Sequence, residues 1–331
     1  METKQYKGGL TTLTNLVNTC YINSILQVLK HTDVLNIFLD KIEVSLNNNK
    51  NGHELNEWNL LRNLMWSRTC IVSPNRFNYA IEKSGKMKGF TSNHAQEDGS
   101  EYLIKLLDAF HLCVQREVNM TISGNIKNTN DEIVKACYME YKSLYEKHYS
   151  EIIDMFYGMQ VTNIYSMTGD ILSSRIEPYS IVNLVIPINT ATTFDKCLDD
   201  YFKDEELVGD NKWFNEKTNE KEDVVIRTRF FSTPEVLIFC FKKFFDKKQL
   251  INFPIDELDM SKHNVVKKNK KDLYTLYAIC NHDGGQGGGH YHSYVKHNKK
   301  WYCFNDTNVN MISSNKLVTS AAYCLFYKKI V

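Results

Sequence analysis

Apolar residues recur with helical spacing in the first third of the chain and with strand-like density in its last half. Over residues 20–30, CYINSILQVLK, Ile22, Ile25, Leu26 and Leu29 share one face, which predicts a helix opened by Cys20. Residues 97–111 repeat the pattern, with Tyr102, Leu103, Leu106, Leu107 and Phe110 inward and Glu97, Asp98 and Glu101 in the first turns. The polar stretch 116–132 predicts a loop and 133–148 a further helix. From about residue 158 the runs VTNIYSM, YSIVNLVIPI, DVVIRTRFF, EVLIFCFKKF, DLYTLYAIC, HYHSYVKH, KWYCFND and AAYCLFYKK are rich in Val, Ile, Tyr and Phe and predict strands. A short helix is expected at 194–203, and the polar segment 204–222 is expected to project from the body. Helices first and strands later is an α+β arrangement. The glycine cluster GGQGGG at 284–289 predicts a flexible turn between two strands. It is no phosphate loop, because no helix with Lys-Ser/Thr follows it.

The chain has 331 residues, room for two domains of about 150 residues or one larger multi-lobed unit. Hydrophobic residues at 43% suffice to bury a core, which excludes wholesale disorder. Lys+Arg is 40 against Asp+Glu 39, so no whole-protein field attracts nucleic acid or an anionic membrane. Arg occurs only at 62, 68, 76, 116, 175, 227 and 229, and Asn is abundant, a drift that points to an A/T-rich genome such as that of a parasite or a large DNA virus. The nine cysteines form no C-x-x-C pair, which argues against a disulfide framework and a paired-cysteine zinc site. The start METKQYKGGL lacks the apolar stretch of a signal peptide, and no apolar run approaches the ~18 residues of a membrane span. The expectation is a reduced, intracellular protein, in cytoplasm or nucleus.

Thiol chemistry needs a thiolate, a base to form it and a group to orient the base. Cys20 opens a helix, where the positive end of the macrodipole favours a thiolate. Most cysteines only pack, but the flanks NTCYINS carry more Asn and Thr than packing requires. His282, His290 and His292 compete as the base. His290 and His292 share a strand face, so H-x-H is also half of a conceivable metal site. Downstream, Trp301-Tyr302-Cys303-Phe304-Asn305-Asp306 offers an amide or carboxylate to accept an imidazole N–H. The plain alternative is a hairpin with polar residues at its end.

Together these segments resemble the ubiquitin-specific proteases. Residues 15–27, Asn15-Leu16-Val17-Asn18-Thr19-Cys20-Tyr21-Ile22-Asn23-Ser24-Ile25-Leu26-Gln27, look like that family's cysteine box. Gln96-Glu97-Asp98-Gly99-Ser100-Glu101-Tyr102-Leu103 is similar to its Q-Q-D-A-x-E-F-L segment. Gly289-His290-Tyr291 with residues 301–306 looks like its histidine box. Pro234–Phe239 and Ala322–Tyr327 resemble its core strands. The matches run in family order from residue 15 to 327.

The resemblance implies one papain-like catalytic domain over 1–331, with a helical thumb over about 9–115 and a β-rich palm and fingers over about 150–331. It implies a deubiquitinating thiol hydrolase that cleaves after the C-terminal glycine of ubiquitin, without cofactor, with ubiquitin, polyubiquitin and ubiquitinated proteins as partners. Cys20 would be the nucleophile, His290 the base, Asn305 its orienting residue with Asp306 sharing that work, and Asn15 the oxyanion donor. Asp98 and Glu101 would hold the arginines of ubiquitin's tail; their alternative is a favourable charge at a helix start. Two departures stand out. Val17 replaces a glycine, which requires a different or strained turn. Ser166, Gly169, Asn215 and Thr218 fall where the fingers often carry zinc-binding cysteines, so no metal is expected and the fingers must hold by packing and β-pairing. The rival readings are a ubiquitin-binding pseudoenzyme and a metal hydrolase using His282, His290 and His292.

Overall fold

The computed structural model describes residues 8–48, 52–85, 87, 95–187, 192–242, 249–265, 271–285 and 288–330. Its helices are α1 (Cys20–Lys30), α2 (Asp33–Asn48), α3 (His53–Ser67), α4 (Asn75–Lys83), α5 (Gly99–Val114), α6 (Thr129–Tyr145), α7 (Glu151–Phe156) and α8 (Phe194–Tyr201). Two short parallel strands, β1 (Thr12–Leu13) and β2 (Ile71–Val72), run among the first helices. Then come β3 (Gly158–Ser166), β4 (Ile171–Tyr179), β5 (Val182–Val185), β6 (Glu205–Leu207), β7 (Trp213–Asn215), β8 (Glu220–Glu222), β9 (Val224–Ser232) and β10 (Val236–Lys242). The last are β11 (Leu258–Asp259), β12 (Leu273–Gly285), β13 (Gly288–His297), β14 (Lys300–Asn305), β15 (Asn308–Ile312) and β16 (Ala322–Lys329). The helices and strands predicted run by run are present; α2, α3, α4, α7, β4 and β15 are among the additions, and the polar segment 204–222 contains the short strands β6, β7 and β8. Gln286 and Gly287 of the predicted glycine turn, and the predicted strand ends at Ile188 and at 243–244, lie outside the described residues.

The palm is an eight-stranded sheet in the order β15-β14-β13-β12-β16-β10-β5, with β11 beside β12. Its centre is buried on both faces, which is why β10 reads as an unbroken apolar run, whereas the edge strands β15 and β5 are partly exposed. Val236, Ile238 and Cys240 face the helices, whereas Leu237, Phe239 and Phe241 face Phe194, Leu198 and Phe202 in and after α8. The period-2 alternation of strand side chains thus divides one strand between two cores.

Helix α1 lies between that sheet and α5, and all eleven of its residues are buried. Much of its polar face, which the periodicity alone would turn to water, finds partners inside, although Asn23 Oδ1 and Gln27 Oε1 are buried without one among the described residues. Gln27 Nε2 donates to the Thr11 carbonyl (2.9 Å), the Ser24 hydroxyl lies 3.2 Å from Cys280 Sγ, and Lys30 Nζ donates to the Gly9 carbonyl (2.8 Å). Burying these groups without partners would cost several kcal/mol in all, at roughly 1–3 each.

The fingers are the sheet β4-β3-β9-β6 and the hairpin β7-β8. At their tips, Ser166 Oγ is 2.7 Å from Thr168 Oγ1 and accepts from the Asp170 N–H at 3.0 Å, around Gly169 at φ 96°. In the β7-β8 hairpin, Asn215 Nδ2 and Thr218 Oγ1 both donate to Glu222 Oε1, at 2.7 and 2.9 Å. Lys217 Nζ reaches the Leu172 carbonyl (3.2 Å) and ties the hairpin to β4. Among the described residues, no cluster of three or more His, Cys, Asp or Glu is placed to hold a metal ion, and no helix is long and apolar enough to cross a membrane.

Candidate active site

Residues from both ends of the chain meet at the start of α1. The segment 13–19 is pinned to the β14–β15 turn by the Leu13 N–H, which donates to the Asp306 carbonyl (3.1 Å). Within it, Leu16 N–H donates to Thr19 Oγ1 (2.7 Å), and the Thr19 N–H and hydroxyl both approach Asn15 Oδ1 (3.1 and 3.3 Å). The turn is strained, as expected: Val17 has φ 62° and Asn18 φ 58°. Cys20 follows as the first residue of the helix.

Opposite, β13 carries His290 and β14 carries Asn305. Imidazole Nε2 lies 2.6 Å from Asn305 Oδ1. An amide oxygen only accepts, so Nε2 carries the proton and Nδ1 keeps its lone pair. The other two histidines are engaged elsewhere. His282 stacks on the Tyr291 ring at 4.3 Å, and His292 Nδ1 faces Asp283 Oδ2 at 3.4 Å. Among the described residues the Cys20 thiol makes no hydrogen bond to the imidazole. Catalytic bonds of this kind are often long in ligand-free proteins and tighten in the complex.

The thiol differs from the sequence expectation. Burial pushes its pKa up and the nearby Asp306 charge adds to that. Hydrogen bonds from the backbone at Tyr291, Tyr21 and Cys20 itself pull it down without cancelling the rise. The helix terminus is there, but burial still holds the thiol's pKa above its ordinary range and favours the protonated form.

Asp306 is also placed differently from the expectation that it helps orient His290. It occupies the β14–β15 turn at φ 47°, which swings its carboxylate toward α1. Oδ2 accepts from Asn15 Nδ2 (2.9 Å) and Oδ1 from Asn23 Nδ2 (2.8 Å). Asn305 therefore serves the imidazole, and Asp306 serves the oxyanion-donor candidate. Asn23 was missed by the sequence reading. Its signal was its place one helical turn after Cys20, on the same side of α1.

Asp98 and Glu101 part company. Asp98 is the N-cap of α5: Oδ1 accepts from the Ser100 N–H (2.7 Å), the Glu101 N–H (3.2 Å) and Ser100 Oγ (2.6 Å), and Oδ2 from the Tyr323 hydroxyl (2.5 Å). Burial raises its pKa, but those hydrogen bonds outweigh burial and hold the carboxyl below its usual range. Oδ1 is taken up by the helix start, in line with the alternative reading, while Oδ2 faces Tyr323 on β16. Glu101, one turn on, is exposed. Gln96, also missed, accepts the Gly289 N–H on Oε1 (2.7 Å) and so fixes the backbone just ahead of His290.

The family model for ubiquitin carboxyl-terminal hydrolase matches residues 11–327. The chain belongs to that family. Ubiquitin carboxyl-terminal hydrolase Usp2 of Drosophila melanogaster is 29% identical over 336 residues, covering 97% of this chain and 35% of that protein. A probable ubiquitin carboxyl-terminal hydrolase, R319, of Acanthamoeba polyphaga mimivirus is 26% identical, covering 96% of this chain and 90% of its own length. The human ubiquitin carboxyl-terminal hydrolase 2 is 29% identical, with 55% of its length covered. The chain thus spans about a third to a half of the two animal proteins. Among solved structures, the SAGA DUB module Ubp8/Sgf11/Sus1/Sgf73 bound to monoubiquitin aligns with TM-score 0.74 at 20% identity, over 100% of this chain and 71% of the other. The same module bound to ubiquitin aldehyde aligns with TM-score 0.73. The α+β, papain-like thumb, palm and fingers are therefore this chain's fold.

Proposed function

We propose that the chain is a cysteine deubiquitinase, a single catalytic unit that hydrolyses the peptide or isopeptide bond after ubiquitin's C-terminal glycine. The observation that carries this reading is the imidazole of His290, held by Asn305 at 2.6 Å with Nδ1 left as an acceptor, on the strand next to the helix that begins at Cys20. Membership of the ubiquitin carboxyl-terminal hydrolase family supports the substrate.

Because burial favours the protonated thiol, attack and proton transfer go together. His290 Nδ1 takes the Cys20 proton as Sγ bonds to the glycine carbonyl carbon. The carbonyl oxygen becomes an oxyanion, to which Asn15 donates; such a donor is worth about 3 kcal/mol in the transition state. His290 then returns the proton to the leaving lysine amine as the C–N bond breaks, leaving a thioester on Cys20. Water, activated by the same imidazole, hydrolyses the thioester and frees ubiquitin. Glu101 offers its exposed carboxylate to the basic tail, with Asp98 shaping that helix start. We place the enzyme inside a cell, where ubiquitin conjugates are found.

Ubiquitin bearing a C-terminal electrophile tests this in one mass measurement. The expected result is a single adduct on Cys20, absent in Cys20→Ala, which should still bind ubiquitin. An unmodified wild-type protein, or an adduct on another cysteine, would refute the assignment.

A further inference from the structure

Just ahead of the nucleophile the backbone passes through two successive left-handed residues, Val17 and Asn18. Asn tolerates that region because its short amide bonds locally. A β-branched residue there is an outlier, since its γ-methyls crowd its own backbone. Nothing inside the fold compensates Val17: its side chain is 64% exposed and packs into none of the buried clusters. What keeps it left-handed is a set of bonds made by its neighbours. These are Leu16 N–H to Thr19 Oγ1, Thr19 to Asn15 Oδ1, and Asn15 Nδ2 to Asp306 Oδ2. The same bonds aim the Asn15 amide. Strain and oxyanion donor therefore sit on one five-residue loop, and Asp306 clamps it from the far end of the chain.

We propose that Val17 is a positioning residue that acts through Asn15. It loads the loop, so that the loop exchanges between a clamped form, with Asn15 held by Asp306, and a relaxed form, with Val17 extended and the Asn15 amide withdrawn. Strained residues persist only where their surroundings over-determine them. Here the bonds that aim Asn15 join partly exposed groups, so opening that clamp costs little while the rest of the segment stays tied at Leu13, Thr14 and Thr19. Substrate adds the missing bond, from the developing oxyanion to Asn15, and so favours the clamped form. The oxyanion hole thus fills as the substrate engages, and its occupancy throttles kcat more than KM. This rests on the assignment of Asn15 as oxyanion donor.

The test is a series at position 17, each variant read by melting temperature and by steady-state cleavage of ubiquitin fused to a reporter. Relief of strain predicts that Val17→Gly and Val17→Asn melt higher than wild type and raise kcat several-fold at unchanged KM, whereas Val17→Ile gains nothing. It also predicts coupling across the clamp: Val17→Asn should restore much of the kcat lost in Asp306→Asn, which a purely structural effect would not do. Flat melting temperatures in the Gly and Asn variants would overturn the proposal. So would a raised melting temperature with lowered kcat, which would make Val17 a substrate contact, and so would simple additivity in the double mutant. A wild-type protein inert to the ubiquitin electrophile would instead overturn the deubiquitinase reading, while the melting series still reports the strain by itself.

Discussion

Lys30, the last residue of the catalytic helix, gives the sharpest physical prediction. Its ammonium is fully buried, donates to the Gly9 carbonyl at 2.8 Å, and lies 4.9 Å from the Trp66 ring centre and 5.7 Å from that of Phe304. Two aromatic faces and the carbonyl end of a helix suit a cation, but they replace water incompletely. Burial pulls the pKa down to about 7, with the Cys70 thiol acting weakly in the other direction. His31 and His297, beside it, are themselves held down chiefly by burial. In the unfolded chain the lysine titrates near 10.4, so between about pH 7 and 10.4 the unfolded state binds the extra proton and stability rises with pH, at up to ~1.4 kcal/mol per unit. Below that window both states are charged and the burial penalty is constant. Lys30→Met keeps the stem and removes the titration. Wild-type stability relative to Lys30→Met should therefore grow by about 2.5 kcal/mol from pH 6 to pH 9, the linkage integral for those two pKa values. The absolute offset also contains the lost bond to Gly9, but the slope does not. Buried tyrosines and thiols that lose stability at alkaline pH are common to both proteins and cancel in the difference. Urea titrations of both proteins at four pH values measure it. A difference that stays flat from pH 6 to pH 9 would falsify the picture of a buried, strained ammonium.

Four further outcomes follow from the site and the fingers. Asn305→Ala should lower kcat by about tenfold or more through loss of imidazole orientation. Asp306→Ala should instead copy Asn15→Ala, and kinetics of the Asn15/Asp306 double mutant should show a loss no larger than either single one. Glu101→Gln should raise KM for a ubiquitin substrate, less so at high salt, whereas Asp98→Ala should chiefly destabilise the protein by about 1 kcal/mol for a lost cap; denaturant unfolding and steady-state kinetics separate the two. Asn215→Ala should cost about 1–2 kcal/mol because it removes the bonds to Glu222 Oε1 and from the Lys217 N–H, and an unchanged thermal midpoint would remove Asn215 from the fingertip's support.

Much of this was readable in advance, where the information is local. The period-3.6 pattern gives α1 and α5 and the β-rich runs give the palm, because burial there follows side-chain polarity. The family resemblance carried by local segments singled out Cys20, His290 and Asn305, and the last two meet across adjacent strands. What escaped is non-local or competitive. The bond from Asp306 to Asn15 spans 291 positions and depends on a left-handed turn that swings the carboxylate away from the imidazole. The polar face of α1 looked solvent-bound because no periodicity records that main-chain carbonyls wait on the other side. The thiol's charge state was decided by burial against a helix dipole, and only coordinates give the burial. Asp98 could have been a substrate contact or a cap by spacing alone; the Tyr323 hydroxyl, 225 positions away, tips it toward the cap.

The order in which this protein is synthesised acquires meaning from its sheet. The last of these strands, β16, is not at an edge but lies between β12 and β10, and Asp306 binds Asn15 and Asn23 near the other end of the chain. Synthesis proceeds from the N-terminus at roughly 5–20 residues per second, so Asn15 and Cys20 emerge long before His290, Asn305 and Asp306. Until β16 enters, β10 and β12 are two halves of an unclosed sheet with open edges. A nascent chain therefore holds the Cys20 thiol before the imidazole and the Asp306 clamp exist, and the two halves of the palm are joined only when β16 is inserted between them.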